Sequence, residues 1–181
     1  MKSLAAVEEA VAVLMCGGVG VLPTDTVYGL AAMASDRQAV ERLYALKRRE
    51  HKPGTLIAAS VEQLVELGIA ERHLRRVQHL WPNSLSVVVE AGDELEYLHM
   101  GLASLAVRVP GDETVRAWLE VTGPLLTSSA NQPGEPTAQC LAEARAYFGE
   151  TVDFYVDGGD LSKREPSTVI RIAGGRVEVL R

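Results

Sequence analysis

Several features that identify common classes of protein are absent from this sequence of 181 residues. Its two cysteines, Cys16 and Cys140, lie far apart and outside any ligand motif, which argues against a structural zinc site and favours a reducing compartment. No apolar run approaches the ~18 residues of a membrane span, and the N-terminus lacks the apolar core of a signal peptide. We therefore expect a cytoplasmic protein with no membrane segment, in which both cysteines are packing residues.

Motifs of several well-known enzyme classes are also missing. There is no Walker A glycine loop, no His-Glu-x-x-His and no Gly-x-Ser-x-Gly around Ser128 or Ser129. The four histidines show no metal-ligand spacing, so we expect no metal bound by the protein itself. Gly18-x-Gly20 precedes its predicted strand and lacks a third glycine, which excludes a Rossmann dinucleotide fingerprint.

The composition is that of a folded globular protein. Hydrophobic residues make up 47% and charged residues 23% of the chain, and we find no linker, internal repeat or low-complexity segment. We therefore predict one domain over residues 1–181, because single cores commonly extend to ~200 residues. The formal net charge of -6 argues against a general nucleic-acid coat, although a local basic surface is compatible with it.

Hydrophobic periodicity predicts strands alternating with helices. We predict helices that begin after the caps Ser3, Asp36, Ser60, Asp112 and Thr137, and a further helix over residues 71–80. Strands are predicted at residues 19–22, 55–59, 85–89, 105–109, 124–126 and 154–156, with a C-terminal hairpin of residues 167–172 and 176–180. This pattern predicts an α/β fold with a mixed, twisted sheet flanked by helices.

Two predicted strands end in clusters of polar side chains. The apolar run that starts at Val21 breaks into Pro23 and the triplet 24–26, Thr-Asp-Thr, and residues 127–131, Thr-Ser-Ser-Ala-Asn, follow a second strand. In open α/β sheets, ligands bind beyond the carboxyl ends of strands, so such residues are candidate ligand contacts. Each segment is also compatible with an ordinary turn, in which proline and hydroxyl groups satisfy the local backbone. Finding two such segments favours the ligand site.

The sequence also contains a set of candidate cations. Arg108 interrupts an apolar strand and needs an anionic partner, for which a structural ion pair and a ligand have equal weight. Lys47, Arg48 and Arg49 follow a predicted helix, where its dipole alone would favour cations. Lysine and arginine together with threonine, serine and asparagine suit an anionic ligand. No nucleophile–base pair is evident, so we expect catalysis by positioning and charge neutralisation, as in phosphoryl or nucleotidyl transfer.

Five segments in register together give a family resemblance that covers almost the whole chain. They are Pro23-Thr24-Asp25-Thr26-Val27-Tyr28-Gly29-Leu30, Lys47-x-Arg49, Ala106-Val107-Arg108-Val109-Pro110, Ser129-Ala130-Asn131 and Ser167-Thr168-Val169. In this order and spacing the sequence resembles the YrdC-like threonylcarbamoyl-AMP synthases. The chain ends without the additional C-terminal domain of the longer members, so it resembles the short, single-domain bacterial form.

The resemblance implies a twisted, mostly open sheet around a concave cavity and a nucleotidyltransferase reaction. L-threonine, bicarbonate and ATP, with Mg²⁺ carried by the nucleotide, would give threonylcarbamoyl-AMP and pyrophosphate. The product would serve threonylcarbamoyladenosine modification of tRNA by downstream tRNA threonylcarbamoyl transferase proteins. The alternative, which the acidic net charge disfavours, is a YrdC-like paralogue that binds tRNA or double-stranded RNA and lacks synthase activity.

Site residues follow from the resemblance, motif by motif. It implies catalytic roles for Lys47 and Arg49 at the triphosphate. ATP would also be bound by Ser104, Ser129, Asn131, Thr137 and Arg181, and threonine by Thr26, Arg108, Thr127 and Ser167. Three positions depart from the usual family pattern: Glu50, Asn83 and Pro133 stand where the family has proline, glycine and serine. These departures affect the expected cavity rim and the Lys47 loop more than the expected fold.

Overall fold

Nine strands form one sheet in the computed structural model, which describes residues 4–48 and 52–181. The strands are β1 (Gly20–Pro23), β2 (Tyr28–Met33), β3 (Thr55–Ile57), β4 (Leu85–Glu90), β5 (Ser104–Arg108), β6 (Leu125–Ser129), β7 (Phe154–Tyr155), β8 (Thr168–Ala173) and β9 (Arg176–Val179). Their order across the sheet is β7-β1-β2-β6-β3-β5-β4-β8-β9. Three of the neighbouring pairs, β1–β7, β3–β5 and β4–β8, are parallel and the others antiparallel, which confirms the predicted mixed sheet.

Seven α-helices occur in the described part of the chain. They are α1 (Leu4–Met15), α2 (Arg37–Leu46), α3 (Val61–Leu67), α4 (Glu71–Leu74), α5 (Glu96–His99), α6 (Glu113–Thr122) and α7 (Leu141–Phe148). Short 3-10 turns lie at Gln78–Leu80 and Asp93–Leu95. None of the described helices combines the length and hydropathy needed to span a membrane.

The predicted helix caps are confirmed at three positions. Asp36 accepts a hydrogen bond from the Ala39 amide at 3.1 Å, and Ser60 and Asp112 cap α3 and α6 in the same way. Such side chains satisfy amides that have no partner within the helix. Thr137 is not a cap, because the chain there turns back and the Ala138 amide donates to the Ala130 carbonyl at 2.9 Å. Ser3 lies outside the described residues.

Four further expectations are corrected. β2 was not predicted, since its Tyr-Gly-Leu-Ala-Ala-Met sequence is rich in small residues that rarely form strands. β6 extends to Ser129, so the second hydroxyl cluster lies on a strand and not after it. The helix predicted over residues 71–80 is interrupted after Leu74, where the Val77 amide bonds to the carbonyl three residues earlier. Cys16 is exposed and so is not a packing residue.

The two faces of the sheet carry different residues. On one face α2, α3, α4, α5 and α7 pack over a large apolar cluster that includes Leu56, Val107 and Leu126. On the other face α1 and α6 cover only part of the surface, over Ala31, Ile57 and Leu125. Side chains alternate between the faces with a period of two. The same face therefore continues beyond these helices into Gly29, Thr55 and Thr127, where the residues become small or polar.

Candidate active site

A cavity of about 330 Å³ opens on the part of the sheet that α1 and α6 leave uncovered. Hydroxyl groups, small residues and two arginines line it, and seven of the predicted site residues are among them: Thr26, Arg108, Thr127, Ser129, Thr137, Ser167 and Arg181. All four residues predicted for threonine binding are in this group. The structure therefore brings residues from the whole length of the chain to one concave surface.

The turn between β1 and β2 forms one wall of the cavity. The Thr24 hydroxyl donates to the Val27 carbonyl at 2.7 Å and accepts from the amides of Thr26 and Val27, each at 3.2 Å. It also lies 3.0 Å from the Thr26 hydroxyl, which faces the cavity. The two interpretations of this segment are therefore compatible, because Thr24 stabilises the turn and the turn presents Thr26 to the cavity.

Arg108 is buried at the end of β5 and has a carboxylate partner. Its Nη2 lies 3.0 Å from Asp25 Oδ1, and both side chains are at most 4% exposed. The other Asp25 oxygen is held by the Ser84 hydroxyl at 3.3 Å and the Gly111 amide at 3.4 Å. A structural ion pair thus exists, but it does not use all the donors of the guanidinium. Among the described residues, Arg108 Nε has no hydrogen-bond partner.

Burial sets the electrostatics of this group. It lowers the pKa of Arg108, the neighbouring Asp25 carboxylate opposes this effect, and Arg181 adds to it by charge repulsion. The guanidinium nonetheless stays protonated, because its ordinary pKa lies far above neutral pH. A buried donor without a partner is costly, and a charged donor more so. The positive charge of Arg108 at the cavity wall therefore favours an anionic ligand.

A chain of hydrogen bonds connects Arg108 to the opposite wall. Arg108 Nη1 donates to the Ser86 hydroxyl at 3.2 Å, and Ser86 donates to the Ser167 hydroxyl at 3.1 Å. Arg181 Nη2 donates to the same Ser167 oxygen at 3.0 Å, and burial lowers the pKa of Arg181. Residues assigned by resemblance to threonine and to the nucleotide are therefore linked through Ser86.

The residues predicted for the triphosphate form a second cluster next to the cavity. Lys47 is buried, and its ammonium group donates to the Ser129 carbonyl at 2.8 Å, to Asn131 Oδ1 at 2.8 Å and to the Asn131 carbonyl. Ser129 also donates to Asn131 Oδ1 at 2.7 Å. Lys47 and Asn131 do not line the cavity itself, whereas Ser129 does. Arg49 and Glu50 lie outside the described residues.

Ser104 occupies a different position from the other predicted residues. It stands at the start of β5 on the same face as Ala106 and Arg108, roughly 13 Å from Arg108 at the rise of a strand. There it lines a neighbouring cavity of about 380 Å³ together with Arg171 and Glu90. The structure therefore does not bring Ser104 to the cavity that seven of the predicted residues line, and its role at ATP stays a prediction.

The cavity is not built to hold a metal ion by itself. No carboxylate side chain is among the described residues that line it. The described part of the chain also contains no group of three or more histidine, cysteine or acidic side chains placed to hold a metal ion. Divalent cations such as Mg²⁺ prefer oxygen ligands with negative charge. The side chains that line the cavity therefore lack the charged oxygen ligands that this cation prefers.

Sequence reasoning missed two residues of this site, Asp25 and Ser86. Asp25 belongs to the segment of residues 23–30, but nothing in the sequence indicates that it pairs with Arg108, which lies 83 positions away. Ser86 carried a detectable signal, since it is a polar residue inside the apolar strand β4 and is fully buried. The same signal, a polar residue in a buried strand, had identified Arg108. The signal from Ser86 is weaker than that from Arg108, because a hydroxyl is far less costly to bury than a charge.

The fold and this cavity define the class of protein. The Sua5/YciO/YrdC family model, described as "Telomere recombination", matches residues 12–181. The chain belongs to this family. Solved structures agree: P. abyssi Sua5 complexed with L-threonine is 29% identical with a TM-score of 0.85. The match covers 97% of this chain and 53% of that one, so this chain spans about half of Sua5. E. coli YciO is 25% identical with a TM-score of 0.83, over 99% and 89% of the two chains.

Curated relatives narrow the family further. A protein of Chromohalobacter salexigens is 37% identical over 180 residues, which are 97% of this chain and 96% of the relative. One of Marinobacter nauticus is 34% identical over 173 residues, covering 90% and 89%. Both are named threonylcarbamoyl-AMP synthase. The resemblance that the five sequence segments indicated is thereby confirmed over nearly the full length of both proteins.

Proposed function

We propose that this chain is a threonylcarbamoyl-AMP synthase, a nucleotidyltransferase that joins L-threonine, bicarbonate and ATP and releases pyrophosphate. The names of relatives that match nearly end to end support the reaction. The observation that carries the proposal is the buried Arg108, which keeps an unpaired Nε donor on a cavity wall rich in hydroxyl groups. We further propose that residues 1–181 form a single domain and that the protein acts in the cytoplasm.

The cavity suits an amino acid at its Arg108 end. A carboxylate accepts two parallel hydrogen bonds from a guanidinium, whose planar donors match its geometry. Arg108 would bind the carboxylate of threonine, with Thr26, Thr127 and Ser167 around the rest of the molecule. The Thr127 hydroxyl donates to the Thr55 carbonyl at 2.9 Å, which leaves its oxygen as an acceptor for a ligand donor such as the threonine hydroxyl.

The reaction requires two anions to meet. The amine of threonine attacks the carbon of bicarbonate, and a C–O bond breaks with release of water to give a carbamate. A carbamate oxygen then attacks the α-phosphorus of ATP while pyrophosphate leaves. Coulomb repulsion opposes this approach, and cations at the site lower it. Lys47 and Arg49 would bind the triphosphate with Ser129, Asn131, Thr137 and Arg181, and Mg²⁺ would enter as part of the ATP substrate. Ser104 belongs to the same proposal through its motif position.

The product identifies a class of partner. Threonylcarbamoyl-AMP is a mixed anhydride, which is reactive toward water, so a downstream threonylcarbamoyl transferase must accept it and deliver the group to tRNA. We propose such proteins as functional partners. Direct binding of tRNA or double-stranded RNA is the competing hypothesis, and the net charge of -6 gives it no support.

Pyrophosphate release tests the proposal directly. We expect release from ATP that depends on both threonine and bicarbonate, measured with a coupled phosphate assay. Serine, which lacks one methyl group, is the matched control substrate and should react about 10-fold more slowly or slower still, since one methyl group contributes about 1–3 kcal/mol to specificity. Folded protein without threonine-dependent release would contradict the proposal. Salt-sensitive RNA binding by such a protein would then favour the paralogue without synthase activity.

The triphosphate contacts have a test of their own. We expect Lys47→Ala and Arg49→Ala each to reduce turnover by at least ~100-fold, because each would remove a charge that stabilises the transition state. Arg48→Ala is the matched control, since Arg48 is exposed and adjacent. Near-normal rates in the Lys47 and Arg49 variants would contradict the assigned phosphate contacts.

A further inference from the structure

The connection between Arg108 and Ser167 contains a residue that the proposed function does not explain. Ser86 is fully buried on β4 and is not part of the cavity wall. Its hydroxyl nevertheless touches two residues that are, accepting from Arg108 Nη1 at 3.2 Å and donating to Ser167 at 3.1 Å. We propose that Ser86 is a positioning residue, which holds the Arg108 guanidinium in place and forces the Ser167 hydroxyl to donate into the cavity.

The direction of these hydrogen bonds follows from what each group is able to do. A guanidinium has only donors, so both Arg108 and Arg181 must donate to the serine oxygens that they touch. The remaining question is which serine donates to the other. Among the described residues Ser167 is the one acceptor within reach of the Ser86 proton. An unpaired hydroxyl in a fully buried position is costly, so Ser86 donates.

This direction fixes the state of Ser167. Its oxygen accepts from Ser86 and from Arg181 Nη2, which together use both of its lone pairs. The Ser167 hydroxyl therefore retains only its proton, and Ser167 lines the cavity. This end of the cavity wall, at Ser167 and Arg108, is therefore rich in hydrogen-bond donors. Such a surface selects a carboxylate and rejects ligand groups that must donate.

The inference rests on the proposed function, because it assigns the carboxylate of threonine as the group that meets these two donors. It also predicts communication between the two substrates. Arg181, assigned to ATP, reaches the Arg108 end through Ser167 and Ser86. A nucleotide that moves Arg181 would then alter the affinity for threonine, and threonine would alter the affinity for nucleotide by the same factor.

Steady-state kinetics of Ser86→Ala test this role. We expect the KM for threonine to rise by about 10-fold, since a charged donor loses its partner, with kcat and the KM for ATP within about threefold of the wild type. Loss of fold alone would lower kcat and leave KM unchanged. Ser86→Thr keeps the hydroxyl and should retain the threonine KM of the wild type. Thr122→Val is the matched control, since it removes a buried hydroxyl from α6, far from the cavity.

An unchanged threonine KM in Ser86→Ala would overturn the inference, as would a change in kcat alone. A measurement on the wild-type protein alone, without substrate, tests the role of Ser86 separately from the proposed function. In ¹H–¹⁵N spectra of the wild type, the protons on Arg108 Nη1 should be resolved and show cross-relaxation with the Ser86 β protons. Freely rotating, averaged Nη groups would overturn the role of Ser86 whatever the activity. A wild type that shows the cross-relaxation but never uses threonine would contradict the proposed function and leave the bonding of Ser86 intact.

Discussion

Two aspartate–arginine pairs join distant parts of this chain, one inside the cavity wall and one at the surface. Asp153 and Arg42 connect the segment before β7 with α2, and their side chains are 35% and 41% exposed. Asp25 and Arg108 connect the turn after β1 with β5, and theirs are 2% and 4% exposed. Because the chemistry of the two pairs is the same, the contrast isolates the effect of burial and of the other partners.

The surface pair is bonded through both terminal nitrogens of its arginine. Both Arg42 Nη atoms donate to the Asp153 carboxylate, and Nη2 also donates to the Thr151 carbonyl at 2.9 Å. Asp153 in turn accepts from the Val19 amide at 2.8 Å. These bonds explain why the pKa of Asp153 is lowered, chiefly by the bond from Arg42. This ion pair connects α2 with the segment before β7, and exposed ion pairs of this kind contribute little to stability.

The buried pair is left incomplete by the protein. Asp25 contacts one nitrogen of Arg108, Ser86 contacts a second, and Nε has no partner among the described residues. Removing two charges from water is expensive and their attraction only partly compensates. Stability alone therefore does not account for this arrangement, whereas binding of an anion does. The two pairs therefore differ in exposure: the donor without a partner in the buried pair also lacks access to water.

The largest expected effect comes from changing the geometry of the buried arginine while keeping its charge. Arg108→Lys should lower kcat/KM for threonine by ~100-fold or more, because an ammonium group cannot reproduce the planar set of donors. Threonine titration of pyrophosphate release measures it. Arg42→Lys is the matched control at the surface pair and should leave kcat/KM within about threefold of the wild type. Equal losses of kcat/KM in both variants would show that the buried pair has no special role in threonine binding.

A second change removes the negative charge from the buried pair. Asp25→Asn leaves Arg108 charged and without its carboxylate, which should destabilise the protein by about 3–5 kcal/mol. Urea unfolding followed by circular dichroism gives this number. We expect added threonine to recover part of the loss, since its carboxylate replaces the missing charge and ligands stabilise the state that they bind. Threonine could instead shift the urea midpoint of the wild type and leave that of Asp25→Asn unchanged. That result would show that Asp25 is needed to form the pocket.

The smallest effect belongs to the surface pair and depends on pH. The pKa of Asp153 in the folded state lies below its ordinary value of 3.8, so the pair stabilises the protein above that pH and loses this contribution as the pH falls through the folded pKa. Asp153→Asn should thus cost about 1 kcal/mol or less at pH 7, and the difference from wild type should shrink below about pH 4. Urea unfolding at several pH values measures it. A difference that grows on acidification would contradict the assignment.

Much of this site was accessible from sequence because its signals are local. Arg108 was identified because a charge within an apolar strand requires a partner, and Thr26 and Thr127 because hydroxyl groups cluster at strand ends. The mixed sheet, three caps and the C-terminal hairpin also follow from patterns within a few residues. The family resemblance added the ligands that no local pattern specifies.

What sequence did not provide is pairing across the fold. Nothing local indicates that Asp25 would meet Arg108, or that Ser86 would stand between Arg108 and Ser167. β2 escaped prediction because its small residues are buried on both faces, where tertiary contacts and not propensity decide the conformation. Thr137 has the chemistry of a cap, but the bond between Ala138 and Ala130 takes the chain elsewhere. In the pairings of Asp25, Ser86 and β2, contacts between distant parts of the chain decide what local preference does not.

The strand order has a consequence for how the protein is made. Gly20 on β1 pairs with Phe154 on β7, and Gly29 on β2 pairs with Ser129 on β6. Contacts between such distant positions form slowly, since a long loop must close before they stabilise anything. During synthesis, the Thr24–Thr26 turn therefore emerges long before the strands that complete its cavity. A nascent chain has no partial pocket to offer its substrates, and the gain of threonine affinity would mark the completion of folding.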